Sequence, residues 1–506
     1  MKTVAKIDPE KEYENAKKLI EMASRQVLGN SDASALDASV DNLITAARVL
    51  MEREERRRGS GNPPAKDPKP KGRKEGESRE ESKKLPSQKF PNLEILEQII
   101  APEVIPTCSC CGKGMKESGL FDVTEKLEII PKRFYILRNK RVKFNCSNCH
   151  GSMVNTPPVP SIVPTSNYGD SLIIDVALNK YCDLLPIERY VAIAARGGLD
   201  GELPAQSLIG LTHHFANFLM AVYDKIKLEV QSTLILMGDE TPHKMLEGDE
   251  KKNWYLWGFF ANQACYYEVH NTRSGDVVFN FLKEAKAEYL LSDGYAGYSK
   301  AVREINQQFN KKIIEVHCNA HAYRYFEEAS ITWKEESQVF LELYGEIYEL
   351  EKKRKELQGK ITSTEQLEFR KKMVPLFEQI KNKCEEQKKN AMPESGLIKA
   401  FNYFLNHYNG LTICTNNISV PLDNNLAERE LRSPVVGRKT WFGTHSKRGA
   451  LTNAVLFSIV SSCKMNNINP RNYFPWIVER IHKKENIMTP FEYAQYLASQ
   501  PPPSTG

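Results

Sequence analysis

Acidic residues follow apolar runs at two places in this chain. The stretch LILMGDET leads directly into Asp239 and Glu240, and the run YLLS leads into Asp293. Two further acids, Glu428 and Glu430, lie in a predicted helix nearer the C-terminal end. If such carboxylates converge, their mutual repulsion raises their pKa values unless a cation neutralises them. Magnesium prefers hard oxygen ligands, and two such ions can assist an in-line displacement at phosphorus. The acids therefore predict metal-dependent phosphoryl transfer.

An α/β core would bring these acids together. Three apolar, β-rich runs are followed by a helical segment, a strand, a second helical segment and a last strand, which predicts a mixed sheet with helices packed on it. The strand runs are 233–238, 254–261, 264–270, 289–292 and 313–317, and the helical segments are 276–287 and 297–308. We place Asp239 and Asp293 at strand ends, where open α/β sheets bind ligands.

The helix that carries the last acid is predicted from the stretch PLDNNLAERELRSPVV. The Asp423 carboxylate caps this helix, which runs through about Arg432. Glu428 and Glu430 are about 200° apart around its axis, so they cannot both face the two aspartates. Apolar neighbours support each glutamate in turn, so helix geometry alone leaves the choice open.

Basic residues and an aromatic ring cluster on this helix and beyond it. After its predicted end come Arg438, Lys439, Trp441, Lys447 and Arg448. Such a mixture suits contacts with a nucleic-acid backbone and an exposed base, although a solvated basic loop is the alternative. The predicted DNA-contacting residues are Arg429, Arg432, Arg438, Lys439 and Trp441.

Two C-x-x-C pairs predict a structural zinc site. Cys108 and Cys111 form the first pair, Cys146 and Cys149 form the second, and 34 residues separate the two pairs. Four thiolates suit one tetrahedral zinc ion, and we favour this over four unrelated core cysteines. The stretch RFYILRNKRVKFNC alternates around Asn139 and predicts a hairpin that feeds the second pair.

Helical patterns flank the predicted core. Residues 168–230 contain two apolar-periodic stretches around a glycine-containing turn, which form either a helix-turn-helix that enters DNA or a helical hairpin that only packs. Charged helices at 327–395 predict an inserted helical hairpin, which is either structural or in contact with DNA. Residues 10–58 predict two helices, whose short apolar seam suits a partner helix or an ordinary amphipathic face.

Composition limits the class of protein. The 506 residues include 41% hydrophobic side chains, which excludes a chain that is disordered throughout. Lys and Arg number 70 against 64 Asp and Glu, and this mild excess permits a nucleic-acid partner without requiring one. No apolar run reaches the roughly 18 residues of a membrane span, and the start lacks a secretion signal. We expect a soluble cytoplasmic protein with reduced cysteines.

Several stretches, in this order along the chain, resemble transposases of the insertion sequence 66 family. They are CSCCGKG with the later LEIIPKRFYILRNKRVKFNCSNC, LPIERYVAIAARGG, GDETPHKML, LLSDGYAGY, VHCNAHAYRYFEEA and DNNLAERELRSPVVGRKTWFG. The resemblance extends from the cysteine pairs to about residue 476. It implies a ribonuclease-H-like core whose Asp-Asp-Glu triad falls on Asp239, Asp293 and Glu428. Glu430 is then expected to pair with an arginine.

A further family motif falls on Cys318, His321 and Arg324. The resemblance assigns no role to it. Cys318 and His321 alone are too few for a zinc site, so we expect packing beside the fifth strand.

The resemblance also sets the expected chemistry and partners. It implies hydrolytic nicking at the inverted-repeat ends of the element, followed by attack of the freed 3′-hydroxyl on target DNA. The expected cofactors are two magnesium (or manganese) ions per active site and one structural zinc ion. The expected partners are DNA, further copies of the chain and accessory proteins encoded by the element, without a membrane. We expect a bacterial, nucleoid-associated protein.

Two other functions remain open. One is a ribonuclease-H-like nuclease or resolvase without strand transfer, against which the predicted DNA-finding modules argue. The other is a transposase-derived DNA-binding regulator without catalysis, against which the presence of all three acids argues. Terminal inverted repeats in the flanking DNA would favour transposition over both.

The sequence thus predicts a multidomain α+β protein. In chain order we expect an N-terminal helical region, a disordered linker, a zinc ribbon-like module, a helix-turn-helix region, a first part of the α/β catalytic core, a helical insertion, a second part of the core and a C-terminal region. The corresponding boundaries are 1–58, 59–90, 91–155, 165–230, 231–326, 327–395, 396–465 and 466–506.

Overall fold

The computed structural model describes residues 85–91, 93–99, 110, 113, 124–127, 132–145, 153–199, 203–246 and 253–500. The predicted N-terminal helices and most of the predicted linker lie outside these residues. So do the four cysteines of the predicted zinc site, Cys108, Cys111, Cys146 and Cys149. The chain divides into two compact units, one of which is Arg57–Leu137 and the other Met1–Arg56 with Arg138–Gly506.

The smaller unit contains one helix among its described residues, α1 (Pro86–Lys89). This single turn lies inside the segment predicted to be a disordered linker, so the end of that segment has local structure. The backbone N–H and the hydroxyl of Ser87 both donate to the Glu125 carboxylate, at 2.8 and 2.9 Å. These two bonds connect the helix with a distant part of the same unit.

Two short strands flank the second cysteine pair. β1 (Lys143–Asn145) pairs antiparallel with β2 (Met153–Asn155). The hairpin predicted around Asn139 is wrong, because the described residues on either side of it form no strand before β1. The side chains of Tyr135 and Ile136 are 74% and 92% exposed, so the alternating pattern has no apolar surface to pack on. The two described strands therefore lie on either side of the second cysteine pair in the sequence, and not around Asn139.

Among the described residues, four helices lie between β2 and the central sheet. They are α2 (Asp170–Tyr181), α3 (Ile187–Arg196), α4 (Ala205–Phe218) and α5 (Met220–Gln231). In the predicted helix-turn-helix, α4 would enter the DNA groove, but its sequence contains neither Lys nor Arg. It packs instead: the Phe215 ring is buried 5.3 Å from that of Phe474, and His213 forms a 2.7 Å hydrogen bond with Thr452. These contacts favour the alternative of a helical hairpin that packs.

The larger unit is built on a five-stranded mixed sheet of order β5-β4-β3-β6-β7. Its strands are β3 (Ile235–Lys244), β4 (Asn253–Phe260), β5 (Cys265–His270), β6 (Tyr289–Ser292) and β7 (Ile314–His317). The first three strands form an antiparallel meander, and β6 and β7 continue the sheet parallel to β3. Crossover helices α6 (Asp276–Glu284) and α7 (Ala296–Phe309) precede and follow β6, as parallel strands require. The predicted order of strands and helices is confirmed.

Strand β3 continues past its predicted end, so Asp239 and Glu240 lie inside it. The prediction that Asp239 follows the strand is therefore wrong, and the cause is unequal pairing on the two sides. β6 accompanies β3 only as far as Met237, whereas β4 pairs with β3 through Lys244. One side of β3 is consequently open beside the acids. Asp293 does follow β6 directly, as predicted.

The helical insertion contains more helices than the predicted hairpin. After β7 come α8 (Asn319–Ala329), α9 (Lys334–Glu356), α10 (Ser363–Lys371), α11 (Val374–Lys388) and α12 (Gly396–Thr412). The apolar rhythm of α9 breaks at Arg354, which is buried. Arg354 and Arg370 both pair with Glu351, at 2.8 Å in each case. The interrupting charge is thus part of a buried ion network, because a buried charge requires a partner.

The C-terminal helices complete the core. They are α13 (Asn425–Trp441), α14 (Lys447–Met465), α15 (Pro470–His482) and α16 (Pro490–Ser499). The hydroxyls of Ser458 and Ser462 on α14 accept the backbone N–H groups of Tyr267 and Cys265, at 2.9 and 3.0 Å. These bonds cover the edge strand β5, whose free N–H groups would otherwise invite pairing with another chain. Among the described residues, no helix combines the length and apolar character needed to span a membrane.

Candidate active site

Two aspartates lie at the opening beside β3. Asp239 is opposite Gly258 of β4, on the part of β3 that β6 no longer accompanies. Asp293 is the first residue after β6, and Gly294 behind it has a left-handed backbone with φ of 85°. The Asp293 carboxylate accepts the N–H of Tyr295 at 2.9 Å, so the turn that starts α7 also fixes this side chain.

Helix α13 brings the third carboxylate. The residue at its N-cap is Asn424, while the Asp423 carboxylate accepts the N–H of Asn425 at 3.2 Å. The predicted cap therefore acts one residue outside the helix. The helix also continues well past its predicted end near Arg432, to Trp441, because it packs along β3 and β4.

Asn424 connects the start of α13 with the strand that carries Asp239. Its side chain is fully buried, and its amide donates to the Gly238 carbonyl oxygen at 3.0 Å. Its backbone N–H donates to the Cys318 sulfur at 3.1 Å. Glu428 lies one helical turn later, with its N–H bonded to the Asn424 carbonyl at 3.2 Å. The anchor of α13 thus places Glu428 beside the aspartates.

The neighbouring carboxylates perturb Asp239. Burial raises the pKa of Asp239 well above its usual value, and the charges of Glu240, Asp293 and Glu428 raise it further by repulsion. One oxygen of Glu428, Oε1, is buried and accepts no hydrogen bond from the described residues. The negative charge around Asp239 and the unbonded oxygen of Glu428 would both be compensated by a cation. Three carboxylates from separate elements therefore fit a divalent cation such as magnesium. The donor atoms are the hard oxygens that this ion prefers.

Glu240 is adjacent to this set but is engaged elsewhere. Arg273 pairs with its carboxylate at 2.6 Å, and the Tyr298 hydroxyl donates to it at 2.7 Å. The Arg273 guanidinium also lies over the Tyr295 ring, 4.2 Å from its centroid. Gly238 permits the approach of the Tyr298 ring, since a Cβ there would lie 2.7 Å from a ring carbon. These partners engage the Glu240 carboxylate, although its charge still acts on Asp239.

Helix α8 places a cation and an imidazole against Glu428. The Arg324 guanidinium donates to Glu428 Oε2 in an ion pair, and His321 Nδ1 lies 3.6 Å from Oε1. The ligand atoms of Cys318, His321 and Glu428 all lie within 4.8 Å of one another. Cys318 is buried directly after β7, as the expected packing role requires. The motif does more than pack, however, because two of its residues contact Glu428.

The protonation states of this motif follow from burial. Burial raises the pKa of the Cys318 thiol to about 12 and lowers the pKa of His321, against the opposing charge of Glu428. A buried thiol with a raised pKa is inert and weakens metal binding, since a metal requires the thiolate. Arg324 is therefore the group of this motif that carries positive charge.

The two glutamates of α13 have separate surroundings. Glu428 is the one whose charge acts on Asp239. Glu430 pairs with Arg429 at 3.1 Å, and its charge acts on Cys265 of β5. The expected arginine partner of Glu430 is thus confirmed. The choice between the two glutamates stays a prediction, and the charge of Glu428 beside Asp239 favours Glu428.

The predicted DNA-contacting cations lie along α13 and not in a loop. Arg429, Arg432 and Lys439 are exposed. Arg438 is half-buried, with its guanidinium 3.4 Å from the Thr241 hydroxyl of β3, close to Asp239. A row of cations therefore leads along the helix that also carries Glu428.

Trp441 has a different environment from the one predicted. Its ring packs edge-on against Tyr181 and parallel to Phe457, with centroids 6.3 and 6.4 Å away. The ammonium group of Lys180 lies 4.4 Å above it. The ring is thus engaged inside the protein, which disfavours the predicted stacking on a base.

Several side chains that shape the site had no signal of their own in the sequence. Arg273 and Tyr403 are examples: Tyr403 lies on α12 and its hydroxyl donates to the Asp293 carbonyl at 2.7 Å. Asn424 and Tyr298 do fall inside the quoted stretches DNNLAER and DGYAGY. Asn424 and Tyr298 could have been noticed because they lie near the predicted acids in the sequence, but their contacts are seen only in the fold.

Comparison with protein families identifies the class to which this fold and site belong. The family described as "Transposase IS66 family" matches residues 165–452, and the "zinc-finger binding domain of transposase IS66" matches residues 106–150. The first match covers more than half of the chain and includes both aspartates and Glu428. The chain therefore belongs to the IS66 transposase family, whose members are DNA-cleaving and DNA-transferring enzymes. The second match suggests a zinc ion, and its residues include the two cysteine pairs.

Curated relatives are similar over most of their length. The uncharacterized protein y4hP of Sinorhizobium fredii (strain NBRC 101917 / NGR234) is 28% identical over 398 residues, which are 74% of this chain and 70% of y4hP. The uncharacterized protein y4jD of the same organism is 24% identical over 394 residues, which are 76% of each chain. The similarity is therefore not confined to the zinc finger or to the sheet.

Proposed function

We propose that the chain binds the inverted-repeat ends of an insertion sequence and catalyses metal-dependent strand cleavage and 3′-hydroxyl strand transfer. One observation carries the proposal: Asp239 lies on β3, Asp293 follows β6, and α13, which carries Glu428, is anchored to β3 beside Asp239. The charges of Asp293 and Glu428 both raise the pKa of Asp239. The sheet order, with β3 between an antiparallel pair and two parallel strands, supports a ribonuclease-H-like core.

Asp239, Asp293 and Glu428 are the residues that would hold magnesium or manganese. When bound, two such ions supply charge stabilisation at the attacking and leaving oxygens of a phosphodiester. The chain's own contribution is to position the three carboxylates. Asn424 sets the approach of α13, and the N–H of Tyr295 orients Asp293. Neither hydrolysis nor strand transfer requires a covalent enzyme intermediate, which agrees with a site made of acids.

The exposed cations of α13 are the proposed contacts to the DNA backbone. Arg429, Arg432 and Lys439 are exposed on the helix that bears Glu428, and Arg438 contacts Thr241 on the strand that carries Asp239. Such cations position the phosphate backbone without reading its sequence. We assign the recognition of specific ends to other parts of the chain, including the zinc finger held by Cys108, Cys111, Cys146 and Cys149.

Partners and location follow from the same proposal. Joining two ends of one element requires two active sites, so we propose that the chain self-associates on DNA. We also propose that accessory proteins encoded by the element assist it, and that it works at the bacterial nucleoid. Zinc and magnesium therefore have separate proposed roles, one in the fold of the finger and one in the reaction.

The proposal is tested with the DNA that flanks the gene. Purified protein, an end fragment that carries the terminal inverted repeat, a plasmid target and magnesium should give nicked ends and then joined products. Nicking without any joined product would favour a nuclease or resolvase. Specific binding without nicking would favour a silent regulator. Flanking DNA without inverted repeats would argue against transposition itself.

A further inference from the structure

The ion pair between Arg324 and Glu428 lies at the mouth of the proposed active site. The Arg324 side chain is 42% exposed and that of Glu428 is 24% exposed, so solvent reaches the cation more easily than the acid. Arg324 Nη1 is 3.5 Å from His321 Nε2, and Nη2 donates to Glu428 Oε2. Most of the guanidinium donors therefore remain available to a ligand.

The same carboxylate has two competing uses. One oxygen of Glu428 is bonded to Arg324, while the other is buried without a hydrogen-bond donor. A divalent cation held by Asp239, Asp293 and Glu428 would share the carboxylate with a guanidinium of like charge. Because like charges repel most strongly where water is partly excluded, the pair and the metal disfavour each other.

Glu428 is the carboxylate that balances Arg324. Among the described residues, it is the acidic group within ion-pair distance of this guanidinium. When its charge is directed to a metal ion, Arg324 is left with an unbalanced charge beside the reacting position. A DNA phosphate is the group of matching charge there, and the planar guanidinium fork suits its two oxygens.

We propose that Arg324 is a positioning residue that exchanges partners: it holds the Glu428 carboxylate in the metal-free protein and binds a DNA phosphate when metal occupies the three acids. This inference rests on the proposed function and deepens it. Metal and DNA then bind with positive coupling through one side chain, and the coupling is reciprocal. The exchange keeps Glu428 neutralised before metal binds and releases a phosphate-binding cation when metal binds.

The proposal predicts effects of opposite sign from a single substitution. Without DNA, Arg324→Gln removes the competitor of the metal, so manganese binds about 5-fold or more tightly than to the wild type. With a pre-nicked end duplex, wild-type affinity for manganese rises, whereas the variant gains little. In magnesium, the logarithm of the DNA-binding constant falls less steeply with the logarithm of salt concentration for the variant than for the wild type. The slopes differ by about 0.9, which corresponds to the loss of one phosphate contact. In chelator, the slopes of the two proteins agree.

Manganese titration calorimetry on the full-length, zinc-loaded protein makes this test, with the Asp239→Asn/Asp293→Asn double variant as the baseline. Arg303→Gln, which changes an exposed arginine on α7, is the matched control and should behave as the wild type. Arg324→Lys keeps the charge without the planar fork and should lie between wild type and Arg324→Gln. It also provides the comparison if the glutamine variant does not fold.

Two results would overturn the proposal, and they are distinguishable. If Arg324→Gln and Arg324→Lys bind manganese as tightly as the wild type or less tightly, Arg324 only supports the structure and no exchange occurs. If the wild type binds no more manganese than the double variant, the three acids do not form a metal site. The second result refutes the proposed catalytic centre as well, whereas the first leaves that centre intact.

Discussion

The buried amide of Asn424 donates a 3.0 Å hydrogen bond to the carbonyl oxygen of Gly238, the residue that precedes Asp239. This bond fixes the helix that carries one proposed ligand to the strand that carries another. Sequence patterns placed Asp239 and Glu428 far apart on unrelated elements, and this contact is what relates them. The position of Glu428 thus depends on a residue that has no chemical role of its own.

Asn424→Ala tests this dependence. The substitution leaves a buried carbonyl without its donor and should destabilise the protein by about 1–3 kcal/mol. Displacement of α13 by even 1 Å should lower end nicking by as much as about 10²-fold, while end binding remains. Asn425→Ala, at an exposed neighbouring position, is the control and should have little effect on either. Wild-type nicking by a folded Asn424→Ala protein would show that this anchor is dispensable.

The raised pKa of Asp239 predicts a pH-dependent stability. Because burial and the neighbouring acids raise this pKa in the folded state, folding favours the protonated carboxyl. The stability that the group contributes is therefore complete below its unfolded pKa, near 3.8, and is lost as pH rises through the folded-state pKa. Asp239→Asn removes this loss.

In chelator, Asp239→Asn should consequently melt at a higher Tm than the wild type at neutral and alkaline pH, with a difference that shrinks toward about pH 4. Asp276→Asn is the comparison, since that exposed acid has a lowered pKa and should not stabilise the protein. Thermal melts across the pH range measure both. A Tm for Asp239→Asn at or below the wild type at every pH would mean that the acids do not repel one another.

The cysteine pairs predict one zinc ion per chain. Replacement of one thiolate, as in Cys111→Ser, should abolish zinc binding and unfold residues 105–150 without unfolding the sheet, because thiolate ligation and local folding are linked. Elemental analysis measures the metal, and hydrogen exchange measures the two regions separately. Cys384→Ser, at a buried cysteine of α11, should keep the zinc. Zinc-free purified, reduced protein would contradict the assignment.

The two glutamates of α13 predict different losses. Glu428→Gln should eliminate metal-dependent nicking, since its charge is the one that acts on Asp239. Glu430→Gln breaks a pair with Arg429 and should lower nicking only modestly. Single-turnover nicking rates compare them. A greater loss from Glu430→Gln would mean that the third ligand is misassigned.

The core could be predicted from sequence because its signals are local. The strands appear as apolar runs and the helices between them as periodic patterns, so each element is recognised from its own residues. Asp239 and Asp293 directly follow the runs LILMG and YLLS. What depends on distant pairing could not be predicted. The extension of β3 past Asp239 is set by β4, and the ion pair of Arg324 with Glu428 joins two helices across the insertion. The prediction that Trp441 stacks on a base assumed a loop after Arg432, whereas the helix continues to Trp441.

Asp239 and Asp293 are proposed to hold the metal on which cleavage depends, while recognition of the ends lies elsewhere in the chain. A paired assay on one end fragment tests this most directly, with binding measured by gel shift and nicking measured in magnesium. Asp293→Asn keeps the shape of the side chain and removes its charge. We expect the variant to bind about as well as the wild type without detectable nicking, and nicking retained at the wild-type rate would contradict the proposed metal site.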